Sequence, residues 1–164
     1  MNALLLVVLA SVPVAQRSDA LVPAFIESVL EGESAMAIQL VSPDALAIID
    51  SLIAEDPAAI SEVCSVFGLA SFVPAELTDA SSFLEDVLSA PSVPAMIFFS
   101  NPTAGEPFTA SGKTYVPVVW GIPGMRDTLF VEATHDDELG WLIRDFYTRD
   151  PRGAGAGAGR GGRT

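Results

Sequence analysis

Between Arg17 and Lys113 the chain has no lysine and no arginine. Asp19, Glu27, Glu31, Glu33, Asp44, Asp50, Glu55, Asp56, Glu62, Glu76, Asp79, Glu85, Asp86 and Glu106 all fall in that window. No ion pair can form inside it, so these carboxylates must be solvated or meet a cation brought from elsewhere. The whole sequence sets 8 basic residues against 21 acidic ones, a formal net charge of −13. Such a body repels phosphate backbones, which argues against nucleic acid as a partner. Cysteine is nearly absent as well. A lone Cys64 permits no internal disulfide and no CxxC-type zinc or redox motif. His135 is the sole histidine, and no G-x-S-x-G elbow accompanies it, so a serine-hydrolase triad is not expected. Nor is there a long hydrophobic run: the apolar stretch at residues 3–15 is too short to cross a ~30 Å hydrocarbon core as a helix, and no transmembrane anchor is expected.

That stretch, ALLLVVLASVPVA, supports two readings. Its length and leucine content suit the apolar region of a signal peptide, with Ser18-Asp19-Ala20 as the small residues before a cleavage site. Residues 1–20 would then be removed and the protein would be secreted or periplasmic. The alternative is a buried first strand at residues 3–10 of a cytoplasmic protein, favoured by the lack of Lys or Arg at Met1-Asn2. Export is the expectation taken.

At 164 residues the chain suits one domain, placed at residues 21–150, and is long enough to bury a core without staples. Val22, Phe25, Ile26, Val29 and Leu30 repeat with helical spacing before Gly32, with Pro23 in the first turn. Residues 35–41, AMAIQLV, read as a strand with Met36, Ile38 and Leu40 on one face. Ser42-Pro43, Asp56-Pro57 and Asp79 are helix starts. The helices they open carry Ala45, Ile48, Ile49, Leu52 and Ile53, then Ile60, Val63, Cys64 and Phe67 up to Gly68, then Ala80, Phe83, Leu84, Val87 and Leu88. Cys64 is expected as a buried thiol, and Glu85 and Asp86 on the outer side of their helix.

Ala95–Ser100 reads as a short apolar strand. Lys113–Trp120 reads as a strand whose Pro117 marks an edge or bulge, and Thr128–Thr134 as a half-buried strand. Leu139, Leu142, Ile143 and Phe146 suggest a closing helix. From Pro151 the Gly/Ala/Arg tail, residues 151–164, has almost no side chain to bury and is expected to be disordered. The fold class expected is α/β, a small mixed sheet covered by amphipathic helices. The alternative is α+β, with a helical amino-terminal half and antiparallel carboxy-terminal strands.

Few residues invite chemistry. Phe108–Thr114, FTASGKT, ends like a phosphate-binding loop, but position 107 is proline and Lys113-Thr114 opens a strand, so Ser111-Gly112 is read as a hairpin turn. His135 stands among Glu132, Asp136, Asp137 and Glu138. His135, Asp136 and Glu132 are weak metal candidates, because neighbouring residues point in different directions, and acid at a helix start is ordinary cap chemistry. Neither metal nor cofactor is expected, and no catalytic residue is assigned. Trp120, Trp141, Tyr115 and Tyr147 suit packing or the lining of a cleft. These features favour a small acidic protein that acts by protein binding, with a basic protein as partner. The alternative is an enzyme whose polar site is built from loops around residues 100–138. An open apolar patch rimmed with acid would mark the binder. Convergence of His135 with carboxylates in a cleft would mark the enzyme.

Overall fold

The computed structural model describes residues 15–66 and 79–153. Six helices come first: α1 (Ser18–Leu30), α2 (Ser34–Gln39), α3 (Pro43–Glu55), α4 (Pro57–Val66), α5 (Ala80–Ser89) and α6 (Ser92–Ser100). Five strands follow: β1 (Thr103–Ala104), β2 (Phe108–Ala110), β3 (Lys113–Ile122), β4 (Met125–Asp136) and β5 (Gly140–Tyr147). They make one antiparallel sheet in the order β1-β3-β4-β5, with β2 also paired to β3. Parallel pairing is confined to one isolated bridge, Val41 to Ile143. Helix and strand are segregated along the chain, so of the two mixed architectures the α+β one describes this fold.

Local chemistry starts the helices as their sequences imply. Ser42 Oγ accepts from the Ala45 N–H at 3.2 Å, with Pro43 as the first helical residue. Asp56 accepts from Ala59 at 3.1 Å and Asp79 from Ser82 at 2.8 Å. Each bond satisfies one of the donors that a helix start leaves without an intrahelical partner. α1 begins at Ser18, earlier than the periodicity implied, and Pro23 therefore lies inside the helix rather than in its first turn.

Three elements differ in type from the sequence reading. Residues 35–41 are mostly the helix α2, not a strand. Ala35, Ala37 and Val41 are apolar too, so the apparent alternation of Met36, Ile38 and Leu40 had Gln39 alone as a polar counterface, and Ser34, Ala37 and Leu40 are buried at helical spacing instead. Ala95–Ser100 belongs to α6: Pro91 and Pro94 stand at its start, where no helical N–H is needed, and Asn101 ends it in the left-handed region at φ 42°. Residues 139–146 form strand β5 rather than a helix. Ala133 pairs with Ile143 while Glu132 pairs with Asp145, which leaves Arg144 as the extra residue of a β-bulge. The bulge adds one residue between Ile143 and Phe146, and a strand with that insertion mimics helical spacing.

The other expected strands form, with one difference, at Pro117. Ser111 (φ 52°) and Gly112 (φ 77°) make the two-residue turn between β2 and β3. Pro117 sits inside the central strand β3 rather than at an edge. Its carbonyl accepts from Gly105 N at 2.7 Å, so the side on which it lacks an N–H faces the break between β1 and β2.

The main core lies between α1 and one sheet face, where Leu21, Val22 and Leu40 meet Val116, Val118, Val131 and Ala133. A second cluster joins Val29, Ala37, Ala90 and Val93, and a third joins Ile60, Cys64, Phe83 and Val87. The fold takes in residues beyond 21–150 at both ends. Ala15 is buried and accepts from Trp141 N at 2.9 Å. At the other end Arg152 pairs with Asp150 and lies 4.4 Å over the Phe108 ring. The expected strand at residues 3–10, residues 1–14 of the expected signal at 1–20, Phe67 and Gly68, and the tail beyond Gly153 fall outside the described residues.

Candidate functional site

The sheet face turned away from the main core carries a buried carboxylate. Glu132 is 2% exposed. Its Oε2 accepts from Lys113 Nζ at 2.9 Å and from the Tyr147 hydroxyl at 2.9 Å, and its Oε1 lies 3.5 Å from the Arg144 guanidinium. Tyr115 closes over the pair, stacked on Phe108 and edge-on to Tyr147. Hydrogen bonding to Glu132, then burial, pushes the Tyr147 hydroxyl well above the ordinary tyrosine range. The carboxylate is thus occupied by two cations and a phenol from β3 and β5. That is the environment of an anchor tying strands together, not of a base waiting for a proton.

The three weak metal candidates are not brought together. His135 is exposed, 3.8 Å from Asp137 and edge-on to Trp141, with which it is paired across β4 and β5. Asp136 closes the turn into β5 by accepting from Glu138 and Leu139 N–H groups at 2.8 and 2.9 Å. The Leu139 N–H first, then that of Glu138, holds its carboxyl below the usual range. This corrects the expected helix start: the acid caps a β-turn. Among the described residues no three His, Cys, Asp or Glu side chains gather in a way that could hold a metal. Cys64 is buried beside Ile60 and Phe83, and burial pushes its thiol up, away from the reactive thiolate.

An apolar concave feature lies on the opposite side of the sheet. A cavity of ≈ 380 Å³ opens between α1, α3, α5, α6 and the sheet, walled by Phe25, Ile49, Leu84, Val118, Trp120 and Phe146 among others. Ser100 and Arg144 supply its polar atoms at the wall. Along α3 no residue is buried, and Ile48 remains 57% exposed with Leu52 also open to solvent. An amphipathic helix ordinarily buries its apolar stripe, so α3 presents a face that the described residues leave uncovered. Asp44, Asp50 and Glu55 stand exposed on the same helix, and Glu85 and Asp86 on α5.

From Ser18 to Ser100 the helices hold no lysine or arginine. Among the described residues, the sheet's contribution to their acid is Arg144, whose guanidinium reaches Asp44 at 3.7 Å. The sequence marked the acidic helices and offered Trp120, Trp141, Tyr115 and Tyr147 for packing or the lining of a cleft. Of these four Trp120 lines the cavity, which is assembled from residues of α1, α3, α5, α6 and the sheet. No single described helix is long and apolar enough to cross a membrane, and α5 with α6 meets that length only as a pair bent by 64°. No protein-family model matches the chain, and neither a curated protein nor a solved structure shows significant similarity to it.

Proposed function

We propose that this protein acts by binding another protein, and that the cavity beside α3 receives the apolar side of a basic segment. The observation that carries this reading is the stripe of α3 that the described residues leave uncovered, Ile48 above all, next to an apolar hollow and among carboxylates of which Asp44 is met by Arg144. Apolar side chains of a partner would enter the hollow, and its Lys or Arg would meet Asp50, Glu55 and Glu85 at the rim. The enzyme reading draws less support, because His135 stands apart from Glu132 and the Glu132 carboxylate is already saturated. Export of the protein belongs to the same proposal, as a compartment where a basic partner would be met.

The test is titration with a Lys/Leu-patterned amphipathic peptide, set against the same peptide with Glu in place of Lys. Only the basic peptide should bind, its affinity should fall as NaCl is raised, and Ile48→Lys should weaken it at least tenfold. Equal binding of both peptides, or none at all, would overturn the reading.

A further inference from the structure

The end of the molecule formed by α6 and the β3–β4 turn differs from the acidic helices in carrying no net charge. No ionisable side chain occurs from Ala90 to Gly105, and apart from Tyr115 none occurs from Thr114 to Met125; Arg126 and Asp127, opposite Gly121 and Trp120 in the hairpin, are exposed at its margin and offset each other. β1 follows α6 after two residues and pairs Thr103 with Val119, which sets the end of α6 level with the turn at Ile122–Met125. Both pieces expose large apolar side chains there. Phe98 and Phe99 are 74% and 71% exposed and pack edge to face on each other at 5.7 Å. Met96, Trp120, Ile122 and Met125 are exposed beside them. Val93 is buried and Ile97 packs on the second core cluster, so the inner side of α6 is already occupied while its outer side is as apolar as a core helix.

We infer that this neutral apolar end is a self-association surface, and that a second copy of the chain covers it in a two-fold dimer. Charge selects the occupant. A basic partner is drawn to the carboxylates of the helices and finds none on α6 or the turn. Two copies that each carry −13 repel most through their acidic helices and approach at least cost through the end that bears no net charge. Area agrees with this choice. At ~150–250 Å² per aromatic side chain and somewhat less for Met and Ile, the six exposed residues offer on the order of 800 Å². That is about what each partner contributes to a standard-size interface. A two-fold axis beside Phe98 and Phe99 makes the contact isologous, each copy using the same patch, and so closes the assembly at two.

The surface adjoins the proposed partner site at Trp120, which also lines the cavity, and salt distinguishes the two contacts. Screening weakens a contact between opposite charges but strengthens one between two like-charged bodies meeting through a neutral patch. Sedimentation equilibrium of the full chain at ~1–100 μM should give a mass approaching twice 17.1 kDa. The dissociation constant should fall several-fold as NaCl rises from ~10 mM to ~0.1 M. Phe98→Ser with Phe99→Ser should return the mass to that of one chain, with the melting temperature that wild type shows when diluted to the monomer, because both rings are exposed in the monomer. A chain that stays monomeric throughout, or a dimer indifferent to the two substitutions, would overturn the inference. So would a monomer that co-floats with phosphatidylcholine vesicles, which would assign the patch to a lipid surface.

Discussion

Tyr147 and Lys113 share one oxygen of Glu132, the phenol and the ammonium each standing 2.9 Å from Oε2. The three residues come from β5, β3 and β4, so one buried carboxylate couples three neighbouring strands. Removing it takes from Lys113 and Tyr147 their shared acceptor in a partly buried place, with Asp145 remaining beside the phenol. Because Lys113 is partly exposed, the cost is below that of a fully buried pair. Glu132→Ala should destabilise by about 2–4 kcal/mol and Lys113→Met by about 1 kcal/mol, measured by urea denaturation.

The same contact predicts an alkaline limit. A raised folded pKa means that above the unfolded tyrosine value of ~10 the native state binds more protons than the unfolded chain. The stability Tyr147 contributes is therefore fully present below about pH 10 and is lost as pH rises toward the folded value. Tyr147→Phe should remove this part of the pH dependence. If wild type and variant lose stability in parallel between ~pH 9 and ~pH 11, the hydroxyl is not bonded to Glu132.

Cys64 should resist a thiol reagent until the protein opens, since it is buried and its thiol is pushed up in pKa. Cys64→Ser places a hydroxyl among Ile60, Phe83 and Val87, at a cost of about 1–3 kcal/mol. Modification of the native protein at the rate of a free thiol would contradict the burial.

Added salt should raise the melting temperature. The carboxylates of the helices repel one another more in the compact state than in the extended chain, and the Debye length shortens from ~30 Å at 0.01 M to ~10 Å at 0.1 M. A melting point that falls over this range would show that the ion pairs of Asp44, Glu132 and Asp150 outweigh the repulsion.

The amino terminus of the folded unit can be placed by trimming. A chain beginning at Leu21 loses the buried Ala15, its bond from Trp141 and the first turn of α1. It should be about 2 kcal/mol less stable than one beginning at Ala15, counting one hydrogen bond and one small buried side chain. Equal melting temperatures would place the functional start after Ala20.

Much of the helical half was legible because its signals are local. Ser42, Asp56 and Asp79 cap helices through bonds that span three residues, and composition alone shows them. The sheet half depends on pairing that no window along the chain contains. Arg144 illustrates the limit: its bulge is set by β4, and without β4 the spacing of Ile143 and Phe146 reads as a helix turn. Glu132 was visible only as one of several acids near His135. Its partners lie 19 and 15 residues away and are delivered by strand register. The clue that could have found it is a lone carboxylate in the apolar run Leu129-Phe130-Val131-Glu132-Ala133. α6 was misjudged because an apolar stretch so short has no period of its own.

The segregation of acid into the helices has a consequence for motion in solution. Twelve carboxylates of the described helical part, from Asp19 to Asp86, stand against Arg17 alone, whereas the part from Asn101 to Gly153 sets eight against five cations. The molecule is therefore an electric dipole as well as an anion. Near a positively charged surface it experiences a torque before it experiences contact, and it turns its helical layer forward within about a Debye length. The sheet, with Glu132 locked at its far face, trails. Collisions with such a surface are consequently not random in orientation: the layer that carries α3 arrives first.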